Sequence, residues 1–263
     1  CSACRSYVQK IYDYLKKVKM TPIFKDGFVY AKGEIPILLV AHMDTVFEEP
    51  PKRLFYDIYE DMIYSPTGGI GGDDRCGIYA ITKILKKFKP YVLFTEDEEI
   101  GCIGAWKAIE ELEKPNVKYI IEFDRRGSND CVFYECGNDK FMNYIESFGF
   151  KTKCGTYSDI SVLGSEWNIA SVNLSSGYYL EHTNEEYIIF HELVNNIKRV
   201  QKMLSVYRQA PYFDYQDNYY LSRLYDSFLD SDDNWYDLSK FENFCADKKK
   251  NEYQKEKGQY IKK

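Results

Sequence analysis

The sequence predicts an α/β fold, a three-layer sandwich in which a mostly parallel central sheet is flanked by helices. Two observations carry this. Continuous apolar runs of strand length, "IPILLVA" (35–41), "YVLFT" (91–95), "VKYIIEF" (117–123) and "ASVNL" (170–174), alternate with stretches whose apolar residues recur at helical spacing. Runs that are apolar at successive positions suit strands buried on both faces, as parallel strands between helix layers are.

In chain order, Val8, Ile11, Tyr12 and Leu15 share one face of a helix over residues 5–18. The run 35–41 is the first strand. "CGIYAITKILKKF" (76–88) reads as a helix closing on lysines, which suit a helix C-terminus. The run 91–95 is the second strand. "GAWKAIEELEK" (104–114) is a helix that Pro115 stops, and 117–123 and 170–174 are the third and fourth strands. "EEYIIFHELVNNIKRVQKML" (185–204) reads as one long amphipathic helix. There is no internal repeat.

The chain has 263 residues, 44% of them hydrophobic, enough for a sizeable core. Its formal net charge is −6 with no basic face, which argues against a nucleic-acid partner. No apolar run approaches the roughly 20 residues that span a bilayer, so no membrane association is expected. The opening "CSACRSYVQKIYDYLKK" has no apolar signal core, and a soluble cytoplasmic protein is expected. No feature of the sequence fixes an oligomeric state. The eight cysteines are scattered, unlike a disulfide scaffold, and Cys1 and Cys4 form a lone C-x-x-C that reads as ordinary thiols. Histidine is limited to His42, His182 and His191.

Polar residues gather where the strands end. The first strand runs into His42 and Asp44, the second into Glu98 and Glu99, the third into Asp124. The fourth runs into "SSGYYLEHTNEE", which carries His182, and the glycine-rich "GGIGGDDRCG" (68–77) delivers Asp73 and Asp74 to a helix start. Ligands of open α/β sheets bind beyond the carboxyl ends of the strands. So many acidic groups at one sheet edge are tolerable around cations, because unpaired buried charge is costly. Imidazole and carboxylate donors without thiolate suit Zn²⁺, and also Mn²⁺ or Co²⁺. A pair of metals sharing a carboxylate would use more of the cluster than one.

"AHMDTV", "GGDDRCG", "TEDEEIG", "EFDRRG" and "GYYLEHTNEE" occur in the order found in the co-catalytic di-zinc exopeptidases, and over about residues 35–200 the chain resembles them. That superfamily includes peptidase T-like tripeptidases, tetrahedral aminopeptidases, carboxypeptidases and acyl-amino-acid deacylases. The resemblance implies a zinc-exopeptidase sandwich with two Zn²⁺. His42 and Asp124 would bind one metal, Glu99 and His182 the other, and Asp73 would bridge them. Asp44 would orient the His42 ring. Glu98 would be the general base, moving a proton from a metal-bridging water to the leaving amine.

Competing readings are weaker. "GGIGG" lacks the Gly-Lys-Ser/Thr ending of a phosphate loop, and no G-x-S-x-G elbow is present. His191 lies in a helical pattern and reads as structural. Asp159, in "TYSDISVLG", resembles a recurrent element near the family's site, and Tyr178 or Tyr179 could offer a phenol to a tetrahedral intermediate.

The layout departs from several relatives. Only 57 residues separate Asp124 from His182, and His42 and Asp73 are 31 apart, so neither position has room for an inserted lid or β domain. The expectation is a bare catalytic domain (1–206) cleaving a terminal amide bond of small peptides, as an aminopeptidase or di/tripeptidase. An N-acyl-amino-acid deacylase or carboxypeptidase is the alternative, and a metal-binding scaffold without turnover a third reading. A Tyr/Asp-rich extension (207–246) is expected to pack on that domain, closing the site, or to bind a partner. The lysine-rich tail (247–263) is expected to be disordered.

Overall fold

The computed structural model describes residues 2–134 and 136–213. In chain order the elements are α1 (Ser2–Lys17), β1 (Pro22–Lys25), β2 (Phe28–Ala31), β3 (Ile35–His42), β4 (Phe55–Asp57), β5 (Met62–Tyr64), α2 (Gly72–Ile84), β6 (Pro90–Thr95) and α3 (Ile103–Glu111). There follow β7 (Ile120–Arg125), β8 (Asp130–Val132), α4 (Asp139–Glu146), β9 (Lys151–Thr152), α5 (Asp159–Trp167), β10 (Ser171–Ser175), β11 (Tyr178–Tyr179), β12 (Tyr187–Ile189) and α6 (Phe190–Ser205).

The four strands expected from the sequence lie side by side and parallel, in the order β6-β3-β7-β10. β1 and β2 extend this sheet antiparallel at one edge, and β8 and β9 extend it at the other, making eight strands. Alternation of side chains along each strand sorts the core into two layers. Leu39 and Ala41 of β3 pack with Ile81 of α2 and Val200 of α6, together with residues of α1 and α4. Leu38 and Val40 face the other way, against Ala105 of α3 and Leu163 of α5. The expected sandwich of helices about a mostly parallel sheet is therefore the observed one.

Some boundaries differ. "EEYII" does not open a helix. Tyr187–Ile189 is β12, paired with β5 and β11 in a second, four-stranded sheet of order β11-β12-β5-β4, and α6 begins at Phe190. An aromatic and two β-branched residues fit that pleated surface better than a first helical turn. α2 begins earlier than its apolar pattern, at Gly72, but is kinked through Asp73 and Asp74, whose φ/ψ are non-helical. The β1–β2 hairpin and the short helices α4 and α5 were passed over by the sequence reading.

Chain direction puts the four central strand ends, His42, Thr95, Asp124 and Ser175, at one edge of the sheet. Residues 207–213 pack at the opposite end. Lys118, just ahead of β7, donates to the carbonyls of Tyr207 and Ala210, and Phe213 meets Phe141 with ring centroids 4.8 Å apart. The rest of the expected extension, the lysine-rich tail, Cys1 and the Cys4 side chain lie outside the described residues. No helix among the described residues is long and apolar enough to cross a membrane.

Candidate metal centre

His42 is the last residue of β3 and shares the parity of Leu38 and Val40, so its ring emerges on the α3/α5 side of the sheet. Asp124 emerges from β7 on the same side. His42 Nε2 lies 2.8 Å from Asp73 Oδ1 and 3.4 Å from Asp124 Oδ1. The other carboxylate oxygen of Asp73 lies 3.0 Å from His182 Nε2, which is 3.1 Å from Glu99 Oε2. Asp73 thus stands between two groups, His42 with Asp124 and His182 with Glu99, and each group could hold one cation.

The remaining expected residues surround these. Asp44 Oδ1 is 3.3 Å from His42 Nδ1, and the backbone N–H groups of Glu98 and Glu99 donate to its two oxygens at 3.2 Å each. One carboxylate therefore aligns the His42 ring and fixes the loop that follows β6. In that loop Glu98 and Glu99 diverge. Glu99 turns to His182, whereas Glu98 lies beside His42, with its Oε1 3.8 Å from the Cys102 thiol. Tyr178 is buried and its hydroxyl donates to Asp124 Oδ1 at 3.3 Å. Tyr179 points elsewhere, donating to Glu192 and stacking on Tyr187. His191 is exposed at the start of α6 and pairs with Asp61, apart from the cluster.

Apart from Asp159, sequence reasoning missed the residues that hold this cluster in place. Glu186 is fully buried, and its carboxylate accepts from the backbone N–H groups of Ile70, Gly71 and Asp73 at 3.0, 2.6 and 3.1 Å. It ties the loop bearing His182 to the loop bearing Asp73, where Gly71 takes φ 66°. Ser158 Oγ contacts both Glu122 Oε2 and, at 3.0 Å, Asp124 Oδ2. The Asn173 amide donates to the Asp124 carbonyl at 2.9 Å and to Ser158 Oγ at 3.1 Å. Asp159 is buried behind Glu98 and accepts from Thr95. Glu122 was visible in "IIEFD" as the residue two before Asp124, hence on the same face. Glu186 had no such signal, because its partners are backbone groups about 115 positions away.

The electrostatics show how strongly these groups compete for positive charge. Burial, then the charge of Asp124, pushes the Glu98 carboxyl up to about 9. Burial and the Asp73 charge push Asp124 up to about 7. Burial lowers His42, but hydrogen bonds to Asp124, Asp44 and Asp73 outweigh it and hold the imidazole well above its ordinary value. Hydrogen bonds to Asp73 and Glu99 raise His182 to about 10. Without other cations the carboxylates compete for protons and the imidazoles keep theirs. Glu99 Oε1 is also buried without a partner. Two imidazoles and a dense set of carboxylates, short of positive charge and free of thiolate, fit zinc.

No protein-family model matches the sequence, and no curated protein matches it. Solved structures do. A tripeptidase from Staphylococcus aureus superposes with TM-score 0.63 at 14% identity, covering 76% of this chain and 92% of that one. Aminopeptidase PepT from Bacillus cereus gives 0.60 at 14% identity with the same coverage. A Zn-dependent exopeptidase from Parabacteroides distasonis gives 0.56 at 14% identity over 78% of this chain and 90% of that one. The fold is that of the zinc exopeptidases. In this zinc-exopeptidase fold the cluster occupies the carboxyl edge of the parallel strands, where α/β sheets present their ligand sites.

Proposed function

We propose that this chain is a two-zinc peptidase that hydrolyses a terminal amide bond of small peptides, as an aminopeptidase or di/tripeptidase. The observation that supports this most directly is Asp73, whose two oxygens face His42 and His182 separately. His42, Asp73 and Asp124 would hold one ion, and Asp73, Glu99 and His182 the other. Zinc there would polarise the scissile carbonyl and acidify water. Glu98, outside both sets, would take a proton from the attacking water on a carboxylate oxygen and pass it to the departing amine nitrogen. Asp44 keeps the His42 ring in register, and the Tyr178 hydroxyl steadies Asp124.

The charged surroundings support attack from the amino end. Arg75 is spent on the Met43 and Asp44 carbonyls, and Arg126 pairs with Glu181 at 3.0 Å, beside His182. Apart from its two imidazoles, the ionisable side chains of the cluster itself are carboxylates, which suits an ammonium better than a carboxylate. Metal analysis followed by a panel of di- and tripeptides and N-acyl amino acids tests this. Two equivalents of zinc and turnover of free-amine peptides are expected. Turnover of N-acyl amino acids alone would replace the reading with deacylation, and two bound metals with no turnover would favour the scaffold.

A further inference from the structure

β4 is the last strand of the four-stranded sheet, and no strand pairs with its outer edge among the described residues. Natural edges are usually blunted by charge or proline along the strand. This one is apolar. Leu54 is 62% exposed, Ile58 73% and Tyr59 94%, with Phe55 and Tyr56 also open. At roughly 200 Å² per fully exposed large side chain, these five present on the order of 600 Å². The area is spread over both faces of the strand and the turn after it, and an edge-to-edge contact, which reaches both faces, could cover most of the roughly 800 Å² per partner of a standard interface.

Charge shows what covers it. Lys52 and Arg53 precede the strand and Glu60 follows it, and none of their side chains has a partner among the described residues. The two aspartates nearby are turned inward. Asp57 accepts from the backbone N–H groups of Tyr59 and Glu60, and Asp61 is held by Tyr56 and His191. The patch is therefore basic at one end, apolar in the middle and acidic at the other. Such a patch complements itself when antiparallel. An isologous contact demands that self-complementarity.

We infer that two copies of this chain pair edge to edge through β4 about a two-fold axis at Tyr56. Tyr56 meets the partner's Tyr56, and Phe55 lies opposite the partner's Asp57. Lys52 and Arg53 run beside the partner's turn and approach the partner's Glu60. Three residues of strand give few backbone hydrogen bonds, so apolar burial supplies most of the affinity and the charges set the direction. This pairing does not depend on the catalytic reading.

Light scattering on the full chain across micromolar to sub-millimolar concentration tests it. Twice the 31.0 kDa chain mass is expected. Leu54→Asp with Ile58→Asp should weaken association by more than roughly tenfold while leaving the thermal midpoint unchanged when both proteins are compared at dilutions where each is monomeric, since both side chains are exposed. Lys52→Glu with Arg53→Glu should weaken it too, and adding Glu60→Lys should restore it. A monomer throughout, or a dimer indifferent to these changes, overturns the inference. Slow exchange, in a monomeric sample, of those amides among residues 55–57 that point away from β5 would also overturn it, by showing that the chain's own later segment covers the edge.

Discussion

Phe123 and Asp124 are neighbours in β7 and belong to different worlds. Phe123 points into the layer formed with α1, α2, α4 and α6, where the strand side chains stay apolar to the strand ends through Ala41, Phe94, Phe123 and Leu174. Asp124 points into the α3/α5 layer, which is apolar through Leu38, Val40, Leu93 and Ile120 and then becomes a sealed polar cluster of His42, Thr95, Glu122, Asp159 and Asn173. The same strands build both layers, and a period of two decides which residue joins which. One layer supplies stability. The other, over the last row of residues, gathers charged groups that could hold a metal.

The sharpest division should appear at Glu98. Glu98→Gln keeps shape and burial but removes the proton acceptor, so turnover should fall about 10²–10⁴-fold while both zinc equivalents remain. Full activity in that variant would break the assignment of the polar layer to chemistry, and loss of zinc would make Glu98 a ligand instead.

Phe123→Ala and Asp124→Asn should act in opposite senses. Phe123 is fully buried, and its truncation should cost about 3–5 kcal/mol in denaturant titration without altering zinc stoichiometry in the folded fraction. Asp124→Asn should abolish tight binding of one zinc yet raise the melting temperature of the zinc-free chain at alkaline pH. Burial and Asp73 oppose ionisation of Asp124, and the amide removes the charge. A stability loss like that of Phe123→Ala would erase the distinction between the layers.

These pairs also show how far the sequence could be read. The central strands were legible because parallel strands are apolar on both faces, so "IPILLVA" and "YVLFT" stand out without context. The seven expected site residues were legible because each directly follows such a strand or sits in a glycine-rich or imidazole-bearing loop. The edge hairpins were not, since β1 with its three exposed positions and the half-exposed β5 lack that signature. Nor was Glu186, whose role lies in backbone N–H groups that any sequence would offer. Tyr187–Ile189 misled for a related reason: cross-strand partners far away in the chain outweighed the helical pattern that continues after them.

pH should separate the layers as well. In the zinc-free chain Asp124 is raised to about 7, Glu98 to about 9 and His182 to about 10. Each binds its proton more tightly folded than unfolded, so the stability it contributes is complete below its unfolded pKa and lost as pH rises through the folded one. Asp44 and Asp73 are shifted the other way, but their contribution is already complete above about pH 5. The melting temperature of the zinc-free chain should therefore fall between about pH 5 and 9, and zinc should flatten that slope while releasing protons on binding. Calorimetry in buffers of different ionisation enthalpy reads the proton count. A zinc-free melting temperature that rises over this range would contradict the cluster's charge balance.

The smallest effect should come from Glu122→Gln, and its smallness is informative. Ser158 has one hydroxyl hydrogen and touches two carboxylates, Glu122 Oε2 and Asp124 Oδ2. It can donate to only one of them, and Asp124 is the one in the proposed ligand set. If the hydroxyl serves Asp124, Glu122 can face Ser158 Oγ only as a neutral acid that supplies the hydrogen itself. Burial followed by the charges of Asp124 and Asp159 raises Glu122 in the same direction. A glutamine amide can make that donation from the same position, so stability should change by less than about 1 kcal/mol and zinc affinity hardly at all. Ser158→Ala should cost more, about 1–3 kcal/mol, because it strands both partners in a sealed layer. If Glu122→Gln proved as costly as Ser158→Ala, Glu122 would be ionised, and the polar layer would hold one more negative charge for the metals to balance.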